Sequence, residues 1–455
     1  MKKNTNRRDF IATSIFAGTG TLFFPGIILS RRSQANDLVR LGLIGVGLRG
    51  TSHLKMVLRR EDVEVNAICD IDKKAAKRAV EIVRTSRGKE PAVYTAGDED
   101  FLNLVKRDDL DGVIISTPWR WHAPMAIATM KAAKYAGLEV PAIVTLDEAW
   151  DLVKTFESTG SHCMLLENVC YRRDVMAVLN MVRRGLFGEL IHCHCGYQHD
   201  VRGIKFNDGK QPPGRGVEFG EKGVNEAKWR TQHSIDRNGD IYPTHGVGPV
   251  ATMLNINRGN RFISLTSTAT KSRGLHNYVV EHGGPGHPNA KIKFKLGDIV
   301  TTVIKCANGE TVVVSHDTNL PRPYSLNYRI QGTKGLWMKD NDSIYLEGKS
   351  PESHQWEPFE PYGKRYDHPL WKKYERDAEG AGHGGMDFFI MHAFLESVKR
   401  NGAPPIDVYD AVIWSAISPL SEMSIANGSN SVDFPDFTHG SWKANKPIFG
   451  LTDDY

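Results

Sequence analysis

The chain has 455 residues, of which 40% are hydrophobic and 24% charged, and its formal net charge is +5. This length exceeds what one hydrophobic core usually organises, so we expect two folded domains. Part of the positive charge lies in the first 32 residues, and the remainder forms no dense basic stripe. The composition therefore gives little support to nucleic-acid or membrane-surface binding.

The N-terminus has the pattern of an export signal. Residues 6–11 contain the twin arginines Arg7 and Arg8, and the apolar stretch that follows is interrupted by glycine and proline. We predict a twin-arginine signal peptide over residues 1–35, cleavage after Ala35, transport by the twin-arginine export machinery and a periplasmic location. A retained anchor is the alternative. A membrane-spanning helix is less favoured because the stretch is mild and broken.

A dinucleotide-binding fingerprint opens the first domain, which we place at residues 36–168. Residues 38–44 read as a short apolar strand, the loop Gly45-Val46-Gly47-Leu48-Arg49-Gly50 follows, and residues 51–60 read as a helix. The glycines allow a tight turn, close approach of the backbone to a pyrophosphate and close packing of the helix. The free N–H groups of the helix would face the phosphates. This context predicts a Rossmann domain.

The second predicted strand, residues 63–69, ends at Asp70, twenty residues beyond Gly50. An acidic side chain there can accept hydrogen bonds from the adenosine ribose hydroxyls, which favours NAD. Lys73 and Lys74 follow closely and could serve a 2′-phosphate, so NADP is the alternative. An aspartate that only caps surface backbone is a second alternative.

A further buried strand is predicted over residues 112–116, and Pro118-Trp119-Arg120-Trp121-His122 follows at its carboxyl end. Ligands of open α/β sheets collect at this end. Tryptophans are costly on a loop unless they cover something flat, so we predict that Trp119 and Trp121 lie against a nicotinamide or adenine ring. The alternative is a loop that packs on its own aromatic rings.

After residue 174 the pattern changes. We predict a helix over residues 175–184 and strands over residues 190–198, 261–270, 299–306, 311–316 and 326–332. Helices over residues 386–400 and 407–425 would cover the back of this sheet or return to the first domain. The coil-rich segment 201–240 is too long for a plain connection, which suggests a substrate-covering loop. The predicted fold is an α/β Rossmann domain followed by an α+β domain, residues 169–455, with a large, mostly antiparallel sheet.

The six cysteines lack the spacing of a disulfide scaffold, and most are expected in the core. The run His192-Cys193-His194-Cys195 could suggest a metal. Strand alternation, however, sends the histidines to one face and the cysteines to the other. Because no second ligand pair at zinc spacing accompanies the run, we predict no metal site.

Two sets of motifs resemble known families. The loop 45–50, Asp70 and the runs 116–122 and 136–141 resemble the glucose-fructose oxidoreductase and inositol dehydrogenase (Gfo/Idh/MocA) superfamily. The runs 167–174, 196–200, 228–230, 242–249 and 322–324 resemble glycoside hydrolase family 109. That family contains NAD-dependent α-N-acetylgalactosaminidases. The resemblance therefore implies NAD as cofactor and a small-molecule or glycan substrate with terminal N-acetylgalactosamine.

The resemblance also implies which residues bind each ligand. NAD would be bound by the fingerprint glycines Gly45, Gly47 and Gly50 and by Leu48, Arg49, Asp70, Trp119, Arg120, Trp121, His122, Glu139, Val140 and Asn168. The sugar would be bound by Tyr197, Arg230, Tyr242, Pro243, Thr244, His245 and Tyr324.

One departure from the superfamily bears on the reaction. Its dehydrogenases carry Glu-Lys-Pro where this chain has Glu139-Val140-Pro141, and that lysine assists net alcohol oxidation. A valine cannot transfer a proton, so either another side chain has taken over or the net reaction is not a simple dehydrogenation. NAD is scarce outside the cytoplasm, so an exported enzyme would have to regenerate it within every turnover. This favours the second explanation.

These arguments predict a redox glycosidase that oxidises the sugar at C3, eliminates the C1 substituent, adds water and re-reduces C3, with retention at C1. His245 is the first choice for proton transfer, because a side chain titrating near neutrality suits a reversible step. Tyr242 and Tyr197 are the next. A periplasmic sugar or cyclitol dehydrogenase with net NAD reduction, a non-catalytic sugar sensor and, for each tyrosine, a packing role are the alternatives. The oligomeric state is left open, a homo-oligomer included.

Overall fold

The computed structural model describes residues 38–212 and 214–455. The predicted signal peptide, with Arg7, Arg8 and the cut after Ala35, lies outside the described residues. Within the described part of the chain, no helix has both the length and the apolar character needed to cross a bilayer.

The first sheet is built from strands that alternate with helices along the chain. Its strands are β1 (Val39–Ile44), β2 (Val63–Cys69), β3 (Ala92–Tyr94), β4 (Gly112–Ile115), β5 (Tyr135–Leu138) and β6 (Cys163–Leu165). Its helices are α1 (Leu48–Val57), α2 (Lys73–Arg87), α3 (Phe101–Val105), α4 (His122–Lys131) and α5 (Leu146–Thr159). All strand pairs are parallel, in the order β3-β2-β1-β4-β5-β6. This is the dinucleotide-binding order, and its ligand crevice lies at the carboxyl ends of β1 and β4.

The second sheet is larger. Its strands are β7 (Leu190–Gln198), β8 (Phe262–Ala269), β9 (Ile299–Cys306), β10 (Thr311–Asp317), β11 (Arg329–Gly332), β12 (Gly335–Met338), β13 (Ser343–Leu346), β14 (Glu357–Pro358) and β15 (Val432–Asp433). Their order is β14-β13-β12-β11-β7-β10-β9-β8-β15. The neighbours are antiparallel except β7 and β10, which run parallel with Tyr197 opposite His316. The expected fold class is confirmed.

The remaining helices link and cover the two sheets. They are α6 (Arg173–Arg183), α7 (Arg202–Lys205), α8 (Arg230–Asp236), α9 (Thr244–Met253), α10 (Gly274–Gly283), α11 (Glu360–Arg365), α12 (Pro369–Ala378), α13 (Met386–Arg400), α14 (Val408–Ser415) and α15 (Ile417–Ala426). Helices α13 and α14 pack on the first sheet and its helices, whereas α15 packs on β8. Gly137 of β5 makes room for this return, because a Cβ there would lie 2.8 Å from the Phe394 ring.

Several predicted elements differ from the observed ones at their ends. The first helix begins at Leu48 rather than residue 51, because Gly50 lets its first turn pack directly on the Gly45 carbonyl. The helix predicted over residues 407–425 is two helices, α14 and α15. Pro419 lacks the N–H that would bond to the Ser415 carbonyl of a continuous helix. The strand predicted over residues 326–332 begins only at Arg329.

Two other sequence expectations concern less regular regions. The segment 201–240 is not plain coil, since it contains α7, α8 and two short 3-10 turns. Strand β7 has the expected alternation, with Cys193 and Cys195 fully buried and His192 and His194 half-buried. All six cysteines are buried free thiols. Over residues 38–212 and 214–455, no group of three histidine, cysteine or acidic side chains has the geometry of a metal site.

Candidate active site

The glycine loop between β1 and α1 has the geometry that a pyrophosphate requires. Gly45 has a φ of +83°, and a Cβ there would lie 2.6 Å from the Ser116 carbonyl oxygen. A Cβ on Gly47 would meet no atom within 4 Å, so this part of the loop faces open space. The α1 N-terminus has no side-chain cap and no acidic residue in its first turn. Its N–H groups are therefore available to an anion, which fits the phosphates of NAD.

Asp70 lies where the fingerprint predicts, directly after β2. Its Oδ2 accepts the Val46 N–H at 2.8 Å, and its Oδ1 accepts the Asp72 N–H at 2.8 Å. A carboxylate has about four acceptor positions, so both oxygens can still bind ribose hydroxyls. Asp70 thus also fixes the glycine loop, a contact that spacing alone does not reveal.

Behind the glycine loop lies a network of charged side chains. The Arg49 Nε donates to Glu139 Oε1 at 2.7 Å, and its Nη1 donates to Asp387 Oδ2 at 2.9 Å. The buried His53 Nε2 lies 2.6 Å from the same Glu139 oxygen. Asn168 Nδ2 donates to Asp387 Oδ1 at 2.7 Å. We call this set, with His383, the Asp387 network. Three of the residues assigned to NAD by resemblance, Arg49, Glu139 and Asn168, belong to it.

The other predicted NAD residues line the same end of the sheet. Leu48 is 61% exposed and Arg120 is exposed, whereas Val140 is buried and precedes a cis peptide bond to Pro141. The His122 ring is buried, with Nδ1 2.7 Å from the Pro141 carbonyl and Nε2 2.8 Å from the Thr117 carbonyl. The His122 ring thus connects the loop after β4 to the segment after β5.

The two tryptophans of that loop have different surroundings. Trp121 is half-buried, and its ring lies 6.2 Å from that of Phe101. Trp119 is 4% exposed and stacks on Tyr242 with ring centroids 5.4 Å apart. Its edge meets Trp229 at 5.2 Å. Trp119 therefore forms the wall between the nucleotide end and the residues assigned to the sugar.

On the other side of this wall lies a cluster of aromatic rings. The Tyr197 ring is 4.7 Å from Tyr242, 5.5 Å from His245 and 6.3 Å from the half-exposed Tyr324. The Arg230 guanidinium lies over both Trp119 and Tyr242, at 5.3 and 5.1 Å. It also pairs with Glu226. Arg230 and these tyrosines were predicted as sugar-binding residues from separate parts of the sequence, and the fold brings them together.

His245 is held by a buried carboxylate that the sequence did not reveal. Its Nδ1 lies 2.7 and 2.9 Å from the two oxygens of Glu167, whose side chain is 0% exposed. Thr244 and Pro243 begin α9, and Gly246 lets that helix lie directly against β7, where a Cβ would meet the Gly196 backbone. This approach places His245 beside Tyr197.

Tyr197 and Tyr242 are both protonated near pH 7 by their ordinary pKa, and burial reinforces this state. Burial raises the pKa of Tyr197 and raises that of Tyr242 well above its usual value. Both phenols are therefore neutral hydrogen-bond donors near pH 7.

Two family models match this chain. Residues 39–166 match an oxidoreductase family with an NAD-binding Rossmann fold, and residues 171–444 match the C-terminal domain of glycosyl hydrolase 109. A glycosyl hydrolase family 109 protein of Stenotrophomonas maltophilia is 55% identical over 99% of both chains. An α-N-acetylgalactosaminidase of Tannerella forsythia is 55% identical over 92% of this chain and 90% of its own.

Solved structures with low identity share the fold. Levoglucosan dehydrogenase in complex with NADH has a TM-score of 0.62 at 21% identity, covering 88% of this chain and 99% of that chain. A myo-inositol dehydrogenase from Lactobacillus casei, in complex with NAD(H) and myo-inositol, has a TM-score of 0.58 at 14% identity, covering 88% and 97%.

The fold and the glycine loop define an NAD-binding enzyme of the Gfo/Idh/MocA class. Within that class the chain belongs to glycosyl hydrolase family 109, and it is an NAD-dependent glycoside hydrolase. The predicted domain boundary after residue 168 and the individual site residues stay predictions.

Proposed function

We propose that this enzyme hydrolyses terminal α-N-acetylgalactosaminides by oxidation at C3, elimination, addition of water and re-reduction, with retention at C1. The observation that carries the proposal is His245, bonded to the buried Glu167 and placed beside Tyr197 and Tyr242, of which Tyr242 stacks on Trp119 after β4 of the Rossmann sheet. An ordinary glycosidase uses two opposed carboxyl groups. Here Glu167 is bonded to His245 and Glu226 to Arg230, which suits positioning better than acid–base catalysis on the leaving group.

When bound, NAD supplies a hydride acceptor for C3 of the sugar and later returns the hydride. The chain must take up and return the protons of the C3 hydroxyl and of C2. With Nδ1 held by Glu167, His245 has Nε2 left for such a proton, as in other histidines oriented by a carboxylate. Tyr197 and Tyr242 suit the task less well as bases, because a phenol is already protonated near pH 7 and burial raises its pKa further. Their proposed role is instead to orient the sugar, with the Tyr197 hydroxyl itself 3.0 Å from His199 Nδ1.

The test is hydrolysis of p-nitrophenyl α-N-acetylgalactosaminide by purified enzyme without added NAD. We expect release of the phenol without net NADH. In deuterated water the released sugar should carry deuterium at C2, because elimination and water addition exchange that hydrogen. Net NADH formation from free sugar would favour the dehydrogenase alternative. Hydrolysis with an unlabelled C2 would overturn the redox route but not the glycosidase assignment.

We also propose export by the twin-arginine route to the periplasm, on the basis of Arg7, Arg8 and the apolar stretch behind them. Changing both arginines to lysine should retain the precursor in the cytoplasm, as measured by fractionation. The exported protein should begin near Asn36. Normal export of the double variant would contradict this route.

A further inference from the structure

We propose that Asp387 is a positioning residue for NAD, acting as a clamp that keeps the cofactor bound between turnovers. The inference rests on the NAD site assigned above and adds to it a residue from α13, outside the Rossmann sheet. Asp387 would act through Arg49, Asn168 and His383 rather than by touching the cofactor itself.

The contacts of Asp387 join distant parts of the chain. One oxygen accepts a hydrogen bond from Asn168, and the other lies 2.9 Å from Arg49 Nη1 and 2.8 Å from His383 Nδ1. Arg49 lies 338 residues away in sequence and in turn donates to Glu139. The glycine loop, the end of β5 and the segment after β6 are therefore all tied to one carboxylate.

This carboxylate is ionised although its own side chain is buried. Its side chain is 5% exposed, and burial alone would raise its pKa. The hydrogen bond from His383 and the charge of Arg49 reverse that effect and hold the pKa of Asp387 well below its ordinary value. A buried charge is costly unless it is fully paired, so loss of the carboxylate would leave Arg49 paired with Glu139 alone and loosen the network.

The chain wraps tightly around Asp387. A Cβ on Gly382 would collide with its carboxylate, and Gly384 and Gly385 have φ values of +68° and +98°. A Cβ on Gly385 would also lie 2.9 Å from the Trp371 ring. His383, between these glycines, is 61% exposed at its side chain. The turn 382–385 is thus fastened to the nucleotide end through the His383–Asp387 contact, which involves no residue of either sheet.

A clamp of this kind suits a reaction that returns the cofactor to its starting state. The redox cycle needs no exchange of NAD, so slow release costs no turnover. The clamp joins α1, which begins at the glycine loop, to α13, so we expect loss of the Arg49–Asp387 contact to loosen the loop that holds NAD.

The test compares two buried, arginine-paired aspartates. Asp387→Asn removes the clamp charge. Asp367→Asn is the matched control, because Asp367 is equally buried (6%) and pairs with Arg173 at 2.7 Å. For each protein we would measure NAD content after denaturation and the rate at which fluorescent etheno-NAD replaces bound NAD. We expect Asp387→Asn to exchange NAD about tenfold faster or more, and Asp367→Asn to lower the melting temperature without changing exchange.

The outcomes separate the clamp from the NAD site itself. Equal exchange in Asp387→Asn and wild type would overturn the clamp, as would equally fast exchange in both variants. Wild type that neither copurifies with NAD nor binds it would instead count against the site. If Asp387→Asn does not fold, NAD exchange is measured in His383→Ala instead. This variant leaves the Arg49 contact intact and changes a largely exposed side chain. It should speed exchange by a smaller factor, and unchanged exchange would overturn the clamp, of which His383 is a proposed part.

Discussion

The two ends of the active site are formed by different kinds of side chain. At the nucleotide end, charged side chains neutralise one another, with Arg49 between Glu139 and Asp387. At the end proposed to hold the sugar, aromatic rings form a cluster, and its polar pairs include His245 with Glu167 and Arg230 with Glu226. Trp119 separates the two ends.

This difference follows from what each end must do. Ion pairs buried together are rigid and costly to break, which suits a cofactor that stays in place. Flat rings give orientation with little cost in side-chain entropy, which suits the proposed role of binding a sugar that leaves after each cycle. The following changes should affect one end and leave the other unchanged.

The largest effect should come from His245→Ala. Turnover of the p-nitrophenyl glycoside should fall roughly a hundredfold or more, because general acid–base catalysis typically contributes that much. NAD content should stay at the wild-type level, since the hydrogen-bond partner of the His245 ring is Glu167 and not the Asp387 network. Full activity would transfer the proton-handling role to Tyr197 or Tyr242. Loss of NAD would show that the two ends are coupled.

Asp70→Ala should act on the nucleotide end alone. We expect NAD binding to weaken by about 1 to 3 kcal/mol, from lost ribose hydrogen bonds and from the freed Val46 N–H. Calorimetric titration of the NAD-free protein measures this, and turnover at saturating NAD should recover. Unchanged affinity would mean that Asp70 only supports the loop, and a gain in NADP affinity in the variant would point to Lys73 and Lys74.

The elements that the sequence predicts best are those with a clear period. Strand β7 and helix α13 begin and end where their alternating or helical patterns do. The helix predicted over residues 407–425 was wrong as one element, because its apolar pattern continues across the backbone break that Pro419 imposes. The apolar pattern reflects which residues are buried, whereas the break in the helix depends on the one N–H that proline lacks.

The residues of the candidate site also fall into two groups, those that the sequence predicts and those that it does not. The glycine loop and Asp70 carry a local signature, so their place was predictable. Glu167 and Asp387 carry none, because their partners His245 and Arg49 are 78 and 338 residues away. Such pairs are created by the packing of α9 on β7 and of α13 on the Rossmann sheet. A single sequence contains no local sign of that packing.

A smaller effect is expected when the support of His245 is weakened. Glu167→Gln keeps the size of the side chain but removes the charge that orients and stabilises the ring, so turnover should fall about tenfold with little change in KM. The matched variant is Glu226→Gln, whose partner Arg230 faces the sugar walls. It should mainly raise KM. The same kinetic change in both variants would contradict separate roles for the two carboxylates.

The smallest effect concerns stability rather than turnover. Asp240 is 0% exposed, and burial raises its pKa to about 7. Between about pH 4 and 7 the folded state therefore holds a proton that the unfolded state has lost, so the free energy of unfolding falls as pH rises through this window. Asp240→Asn removes this slope. Relative to wild type it should gain about 1 kcal/mol or more by pH 8, measured by urea unfolding at several pH values.

Asp200 provides a control of opposite sign. Burial alone would raise its pKa, but hydrogen bonds from Arg202 keep it below the ordinary value. Its contribution to stability is therefore present above the unfolded pKa and lost as pH falls. Asp200→Asn should lose stability relative to wild type at neutral pH and match it in acid. If the free energy of unfolding of both variants has the same slope against pH, the burial of Asp240 does not cause the pH dependence. If the two slopes differ in sign relative to wild type, Asp240 is protonated at mildly acidic pH. Asp240→Asn should keep the Tyr242 N–H bonded, because an amide oxygen can replace the Oδ1 that now accepts it.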